Sequence, residues 1–137
     1  MAPRGIRNNN PCNIRLSRTT YKGEVTPSSD KAFKQFESMA YGYRAVFVTL
    51  RHYHTNLGLK TIRQMISRWA PPSENNTGAY VKHVSDAAHY DCDAAVDIKD
   101  KNLMAKIVSA MSFVENGLKA NQTDVMSGWE MYRRDRP

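Results

Sequence analysis

An apolar stripe that stops at an Asn-Gly pair constrains the fold more than any other feature of this chain. Between residues 103 and 114 the large apolar side chains recur every three or four positions, which is the spacing of one buried helix face. Asn116 and Gly117 follow the stripe, and a glycine just past a helix end accepts the left-handed backbone that terminates helices. The pattern predicts a helix from about Asp100 to Glu115 with one face in a core.

The rest of the chain carries similar start and stop signals, and its 137 residues fit one domain. These signals predict four further helices, from about Ser38 to Leu57, from Thr61 to before Pro71, from Thr77 to Ala88, and from Asp124 to Arg133. Residues 1–32 carry prolines, glycines and an asparagine run, which favour an irregular arm with a short hairpin at 21–25. The expected fold is mainly α, a small single domain over 1–137 with the arm over 1–32 and the helical part over 33–137.

The net charge of the chain limits the classes of partner that it is expected to bind. Lys and Arg number 20 against 13 Asp and Glu, a net charge of +7, which favours nucleic acid, anionic membranes or a bacterial envelope. The charges are spread along the whole chain without a block of like sign, so no specific nucleic-acid partner is expected. No apolar run reaches the ~20 residues of a membrane span, and the basic N-terminus lacks the apolar segment of a secretory signal. We expect neither membrane insertion nor a signal peptide.

The chain shows no pattern for a metal or a cofactor. Cys12 and Cys92 are the two cysteines, too few for a disulfide framework, so two free thiols are expected. The four histidines match no zinc-ligand spacing. There is no phosphate-binding glycine loop, dinucleotide-binding turn or Gly-x-Ser-x-Gly elbow. The sequence therefore predicts that metal ligands and cofactors are both absent.

Glu115 is the main candidate for chemistry. It falls in the last turn of its helix, where the helix dipole disfavours an anion, and partial burial there would raise its pKa toward the value that a general acid needs. From these residues alone, an exposed glutamate at a frayed helix end is the simpler interpretation. Glu37, before the Ser38 cap, and Glu74, in a loop, are further candidate carboxylates.

Two other segments favour a polar cleft. Residues 4–15 hold Asn10 and Asn13 in an asparagine-rich loop that can offer amides to sugar hydroxyls, or can be a plain capped turn. Residues 68–77 place Trp69 before a loop with Asn75. An aromatic plane near amides is common in carbohydrate sites, whereas a core tryptophan followed by a helix cap is the structural alternative.

Four blocks, taken in order, resemble a known family. They are Arg-Gly-Ile-Arg-Asn-Asn-Asn-Pro-Cys-Asn-Ile at 4–14, Phe-x-x-Phe-x-Ser-x-x-x-Gly-x-Arg-Ala at 33–45, Trp-Ala-Pro-x-x-Glu-Asn-x-Thr-x-x-Tyr at 69–80, and Glu-Asn-Gly at 115–117. The family comprises small phage and prophage muralytic proteins, often described only as phage structural proteins. Cys12 stands where that family usually has glycine. The first two blocks also resemble part of bacterial glucosaminidases, in which a helix ending in the catalytic Glu precedes the Asn-rich element; here such a helix lies at the other end of the chain.

The resemblance implies a lysozyme-like or lytic-transglycosylase-like helical domain that cleaves the glycan strand of peptidoglycan. Glu115 would then be the acid, and a hydrolase would need a partner carboxylate from Glu74 or Glu37. The groove residues would be Asn10, Asn13, Trp69, Asn75 and Tyr80. The protein would be made in the bacterial cytoplasm and would act at the cell wall after virion delivery or lysis.

Two alternatives stay open at this stage. The chain could be a non-enzymatic basic virion protein that binds polyanions, with other virion proteins as partners. It could also be an endopeptidase that cuts the peptide stems, although the sequence shows no metal or nucleophile constellation for that reaction.

Overall fold

A computed structural model describes residues 2–136, and it is mainly helical, which confirms the predicted fold class. In chain order the elements are α1 Arg4–Arg7, β1 Glu24–Val25, β2 Gln35–Phe36, α2 Met39–Thr55, α3 Ile62–Trp69, α4 Thr77–Ala88, α5 Lys101–Asn116 and α6 Gln122–Asp135. Over residues 2–136, no helix is both long and apolar enough to cross a membrane.

Side-chain caps set the helix ends close to the predicted positions. Ser38 accepts a hydrogen bond from the Tyr41 N–H at the start of α2, and Asp100 accepts one from Leu103 at the start of α5. Gly117 ends α5 in the left-handed region, with φ 70°. Thr77 also looks like a cap residue in the sequence, but it is the first residue of α4, and the cap is Asn76, which accepts from the Ala79 N–H.

The core lies where α5 and α6 pack against α2 and α4. Phe47 of α2 meets Trp129 of α6 edge-on at 5.1 Å between ring centroids, and it stacks on Tyr132 at 5.8 Å. The apolar stripe of α5 is buried, as its period predicted, with Val108 and Met111 fully inaccessible. This packing holds the C-terminal turn of α5 in place, and that turn carries Glu115.

The N-terminal arm is irregular but tightly held. The Asn10 side-chain amide donates to the carbonyls of Ile14 and Lys34, both at 2.9 Å, and the Phe36 N–H donates to the Asn8 carbonyl. A Cβ on Gly42 would lie 2.2 Å from the Asn9 carbonyl oxygen, so only glycine lets the arm lie this close to α2. The arm is therefore a fixed part of the domain.

The small sheet differs from the predicted hairpin. Glu24–Val25 pair antiparallel with Gln35–Phe36, across an intervening loop, and not within residues 21–25. Beneath it the Lys34 ammonium meets the Glu24 carboxylate at 3.0 Å, with side chains 1% and 4% exposed. The first long helix, α2, begins at Met39, directly after the Ser38 at which the sequence predicted its start.

Candidate active site

Glu115 is held by hydrogen bonds from two distant segments of the chain. The Asn13 amide donates to Oε1 at 2.8 Å, and the Tyr80 hydroxyl donates to Oε2 at 3.0 Å. The carboxyl group is therefore the point where the N-terminal arm, α4 and α5 meet. These two bonds orient both oxygens and leave the carboxyl partly buried.

The neighbouring Asn116 fastens the arm to the end of α5. Its amide donates to the Pro11 carbonyl at 2.7 Å and to the Ser112 carbonyl at 3.0 Å, and its residue is buried. On the other side, the Trp69 indole N–H donates to the Cys12 carbonyl at 3.1 Å. The backbone that presents Asn13 is thus held from both α5 and α3.

Burial raises the pKa of Glu115, and the hydrogen bonds from Asn13 and Tyr80 and the charge of Arg15 oppose that rise. Its place at the C-terminal end of α5 also disfavours the anion. Burial, with the nearby Cys12 and Glu115, raises the pKa of the Tyr80 phenol. The phenol therefore stays protonated and remains a hydrogen-bond donor to Glu115. A carboxyl in this setting can hold a proton nearer neutral pH and deliver it to a bound group.

Two cavities lie beside the hydrogen-bond partners of this carboxyl. The first, the Trp69 cavity, has a volume of about 190 Å³ and is lined by Asn13, Ile14, Arg15, Thr49, Tyr53 and Trp69. The second, the Tyr80 cavity, has a volume of about 470 Å³ and is lined by Asn75, Asn76, Ala79, Tyr80, His83, Phe113, Val114 and Gly117. Glu115 is hydrogen-bonded to one wall residue of each cavity. Glu115 itself lines neither cavity, and its two hydrogen-bond partners connect it to them.

The three candidate carboxylates have different surroundings in the structure. Glu74 is exposed and lies 3.8 Å from Arg15, whose charge acts on Glu115. Glu37 is exposed before α2, where its N–H donates to the Gly23 carbonyl, and no hydrogen bond or ion pair within residues 2–136 joins it to the Glu115 group. Glu74 is thus linked to the site through Arg15, and Glu37 is not.

Of the predicted groove residues, Asn13, Trp69, Asn75 and Tyr80 line the two cavities. Asn10 is 0% exposed, and its side-chain amide donates to backbone carbonyls, so it stabilises the loop and does not face a cleft. This corrects the prediction that Asn10 contacts a ligand. The sequence reasoning missed Asn116 as an anchor, although its place beside Glu115 in the Glu-Asn-Gly block could have indicated it.

One group in the described chain has the composition of a metal site. Asp91, Cys92 and Asp93 bring their potential ligand atoms within 4.8 Å of one another. The Arg63 guanidinium already contacts two of them, with 2.7 Å and 3.1 Å bonds to the Asp93 oxygens and a 3.1 Å bond to the Cys92 sulfur, and Asp91 accepts from the Asp93 N–H. An arginine in this position supplies the positive charge, so the cluster is a surface ion pair.

The fold and the site together define a small helical domain with a partly buried, doubly hydrogen-bonded carboxyl whose two partners line separate cavities. No family model matches the chain. The chain is similar to Protein P5 of Pseudoalteromonas phage PM2, with 35% identity over 119 residues, which are 85% of this chain and 72% of that protein. The chain therefore belongs to the family of this bacteriophage protein.

Proposed function

We propose that this protein cleaves the glycan strand of peptidoglycan, with Glu115 as the general acid. The observation that carries the proposal is the carboxyl of Glu115, whose pKa is raised by burial and whose hydrogen-bond partners Asn13 and Tyr80 line two cavities. Such a carboxyl is suited to protonate a glycosidic oxygen near neutral pH. The similarity to a bacteriophage protein agrees with the phage origin that the sequence resemblance implies.

The neighbours of Glu115 orient the proton. A carboxylate offers about four lone-pair positions, and Asn13 and Tyr80 use two of them. A remaining position can carry the acidic proton toward a sugar bond that spans the two cavities. In the first step that proton passes to the oxygen between N-acetylmuramic acid and N-acetylglucosamine as the bond to the anomeric carbon breaks.

Two outcomes of this step are chemically possible. In a lytic transglycosylase the muramyl 6-hydroxyl attacks the anomeric carbon, and the Glu115 carboxylate takes up the proton that the hydroxyl loses. In a hydrolase water attacks, and a second carboxylate ~5–9 Å away must act as nucleophile or base. Glu74 is favoured over Glu37 for that second role, because Arg15 connects it to the site.

A thiol peptidase mechanism at Cys12 is disfavoured. Cys12 is 0% exposed, and burial raises the pKa of its thiol, which keeps it protonated. The thiolate is the reactive form of cysteine. This argues against Cys12 as the nucleophile of an endopeptidase.

The proposal is tested by wall clearing with purified Glu115→Gln protein on peptidoglycan embedded in a gel. Glutamine keeps the shape and removes the proton, so clearing should be lost. Glu130→Gln is the matched control, because Glu130 is exposed on α6 and pairs only with Lys101. Full clearing by a folded Glu115→Gln protein would reject the assignment, and salt-sensitive DNA retention without clearing by the unmodified protein would favour the polyanion-binding alternative.

A further inference from the structure

The Tyr80 cavity continues into a larger one along α5. The larger cavity has a volume of about 830 Å³ and shares His83 and Phe113 with the Tyr80 cavity. It extends to Lys106 on α5, Lys119 in the following loop and Met126 on α6. We call the two together the α5 groove. It is linked to the candidate acid through Tyr80, which both lines it and donates to Glu115.

The middle of the α5 groove presents an aromatic surface. The rings of His83 and Phe113 stack at 5.4 Å with an interplanar angle of 10°. Phe113 is 40% exposed, and Val114 and Leu118 nearby are 38% and 51% exposed. Apolar side chains concentrated at one exposed place indicate a binding surface, and a flat ring can pack against the face of a sugar.

The far end of the α5 groove is positively charged. Lys106 and Lys119 line it, and neither ammonium has a carboxylate within 4 Å among residues 2–136. Its wall contains no acidic side chain, and a hydrogen bond from Gln122 to the Ser109 hydroxyl at 3.0 Å adds polar groups beside the lysines. An anionic ligand segment is therefore the complementary occupant of this end.

The charge of the groove matches one component of peptidoglycan. Lys106 lies nine positions before Glu115 on α5, which is about two and a half helical turns. The two side chains therefore lie on opposite faces of α5, and the groove runs along the face that carries Lys106 and Phe113. The stem peptides of peptidoglycan hang from the muramyl sugar and end in free carboxylates, which the two lysines complement.

We propose that the α5 groove binds the peptide stem of the strand being cut, with its carboxylates on Lys106 and Lys119 and its apolar part on the His83–Phe113 surface. The substrate would then be glycan that still carries its stems. This inference rests on the proposed glycan cleavage, since it takes Glu115 as the point of the cut. The stem would hold the muramyl sugar at the acid, and the lysines would determine specificity without taking part in the reaction.

The test compares intact peptidoglycan with glycan strands from which an amidase has removed the stems. The Lys106→Gln/Lys119→Gln double variant should lose about tenfold in kcat/KM, equivalent to ~1.4 kcal/mol, on the intact substrate only. The Lys31→Gln/Lys99→Gln variant is the control, because it changes the net charge equally at exposed lysines outside the groove. Equal losses on both substrates, or none, would overturn the inference.

A binding measurement separates this inference from the proposed function. In a Glu115→Gln background, a soluble disaccharide-tetrapeptide should shift the NMR signals of Phe113 and bind about tenfold more weakly when both lysines are replaced. Lysine-dependent binding without cleavage by the unmodified protein would reject glycan cleavage and keep stem recognition. Cleavage that is equal on stem-free and intact strands would reject stem recognition alone.

Discussion

Replacing Gly5 by alanine tests how the N-terminal arm holds the candidate acid. A Cβ on Gly5 would lie 2.4 Å from Asn116 Oδ1, 2.7 Å from the Asn10 carbonyl oxygen and 3.1 Å from Asn13 Oδ1. Gly5 lies in the short helix α1, where alanine is an acceptable backbone choice, so the change acts through contact alone. The three atoms that must move belong to the anchors of the arm.

The geometry gives the size of the effect. Ordinary contact begins at 3.4 Å, so Asn116 Oδ1 must retreat by 3.4 − 2.4 = 1.0 Å and the Asn10 carbonyl by 3.4 − 2.7 = 0.7 Å. Forcing an extra methyl group into a packed site costs ~1–3 kcal/mol. A shift of about 1 Å in a positioning group can lower a rate by ~100-fold. We therefore expect Gly5→Ala to lose ~1–3 kcal/mol of unfolding free energy and most of the wall clearing.

Urea denaturation measures the first quantity, and turbidity of a peptidoglycan suspension measures the second. Gly78→Ala is the matched control, because no atom lies within 4 Å of its added Cβ and it lies within α4. Its stability should be unchanged or raised by up to ~1 kcal/mol. Wild-type stability of Gly5→Ala would refute the close packing of the arm, whatever the activity.

Three further outcomes are expected. Glu115→Gln should be more stable than the unmodified protein at pH 7 but not at pH 4. Because the pKa of Glu115 is raised in the folded state, ionisation of this carboxyl destabilises the fold as the pH rises through the ordinary carboxyl range. Thermal melts that give the opposite order would contradict this. Lys34→Ala should lower the free energy of unfolding, measured with urea, by ~3–5 kcal/mol, because it leaves the carboxylate of the buried Glu24 side chain without its ion pair. Lys82→Ala breaks an exposed ion pair and should lower it by less than ~1 kcal/mol. Equal losses would refute the difference between the buried and the exposed pair. Both cysteines are free, so reductant should leave Tm unchanged, and a fall of several degrees would indicate a disulfide.

The helices could be predicted because their signals are local. The stripe on α5 and its glycine stop lie within one segment, and the predicted range of 100–115 differs from Lys101–Asn116 by one residue at each end. The hairpin was misplaced because the partner of Glu24–Val25 is supplied by a later segment, and no local signal states that pairing.

The residues of the candidate site could be predicted from the sequence, but most of the contacts that they make could not. Glu115, Asn13 and Tyr80 were all candidates, yet the contact that joins Asn13 to Glu115 links positions 102 apart in the chain. Asn10 and Asn13 look alike in the sequence, and only the fold decides that one bonds backbone carbonyls and the other bonds the acid. Burial, which raises the pKa of Glu115, is likewise a property of the packed helices.

Mass spectrometry of the soluble products from purified peptidoglycan tests glycan cleavage by Glu115 most directly. The unmodified protein should release fragments that carry disaccharides with their stems attached, ending in either an anhydromuramyl or a reducing muramyl sugar, and Glu115→Gln should release none. Free stem peptides with the glycan strands left intact, or the same disaccharide fragments from Glu115→Gln, would contradict the account.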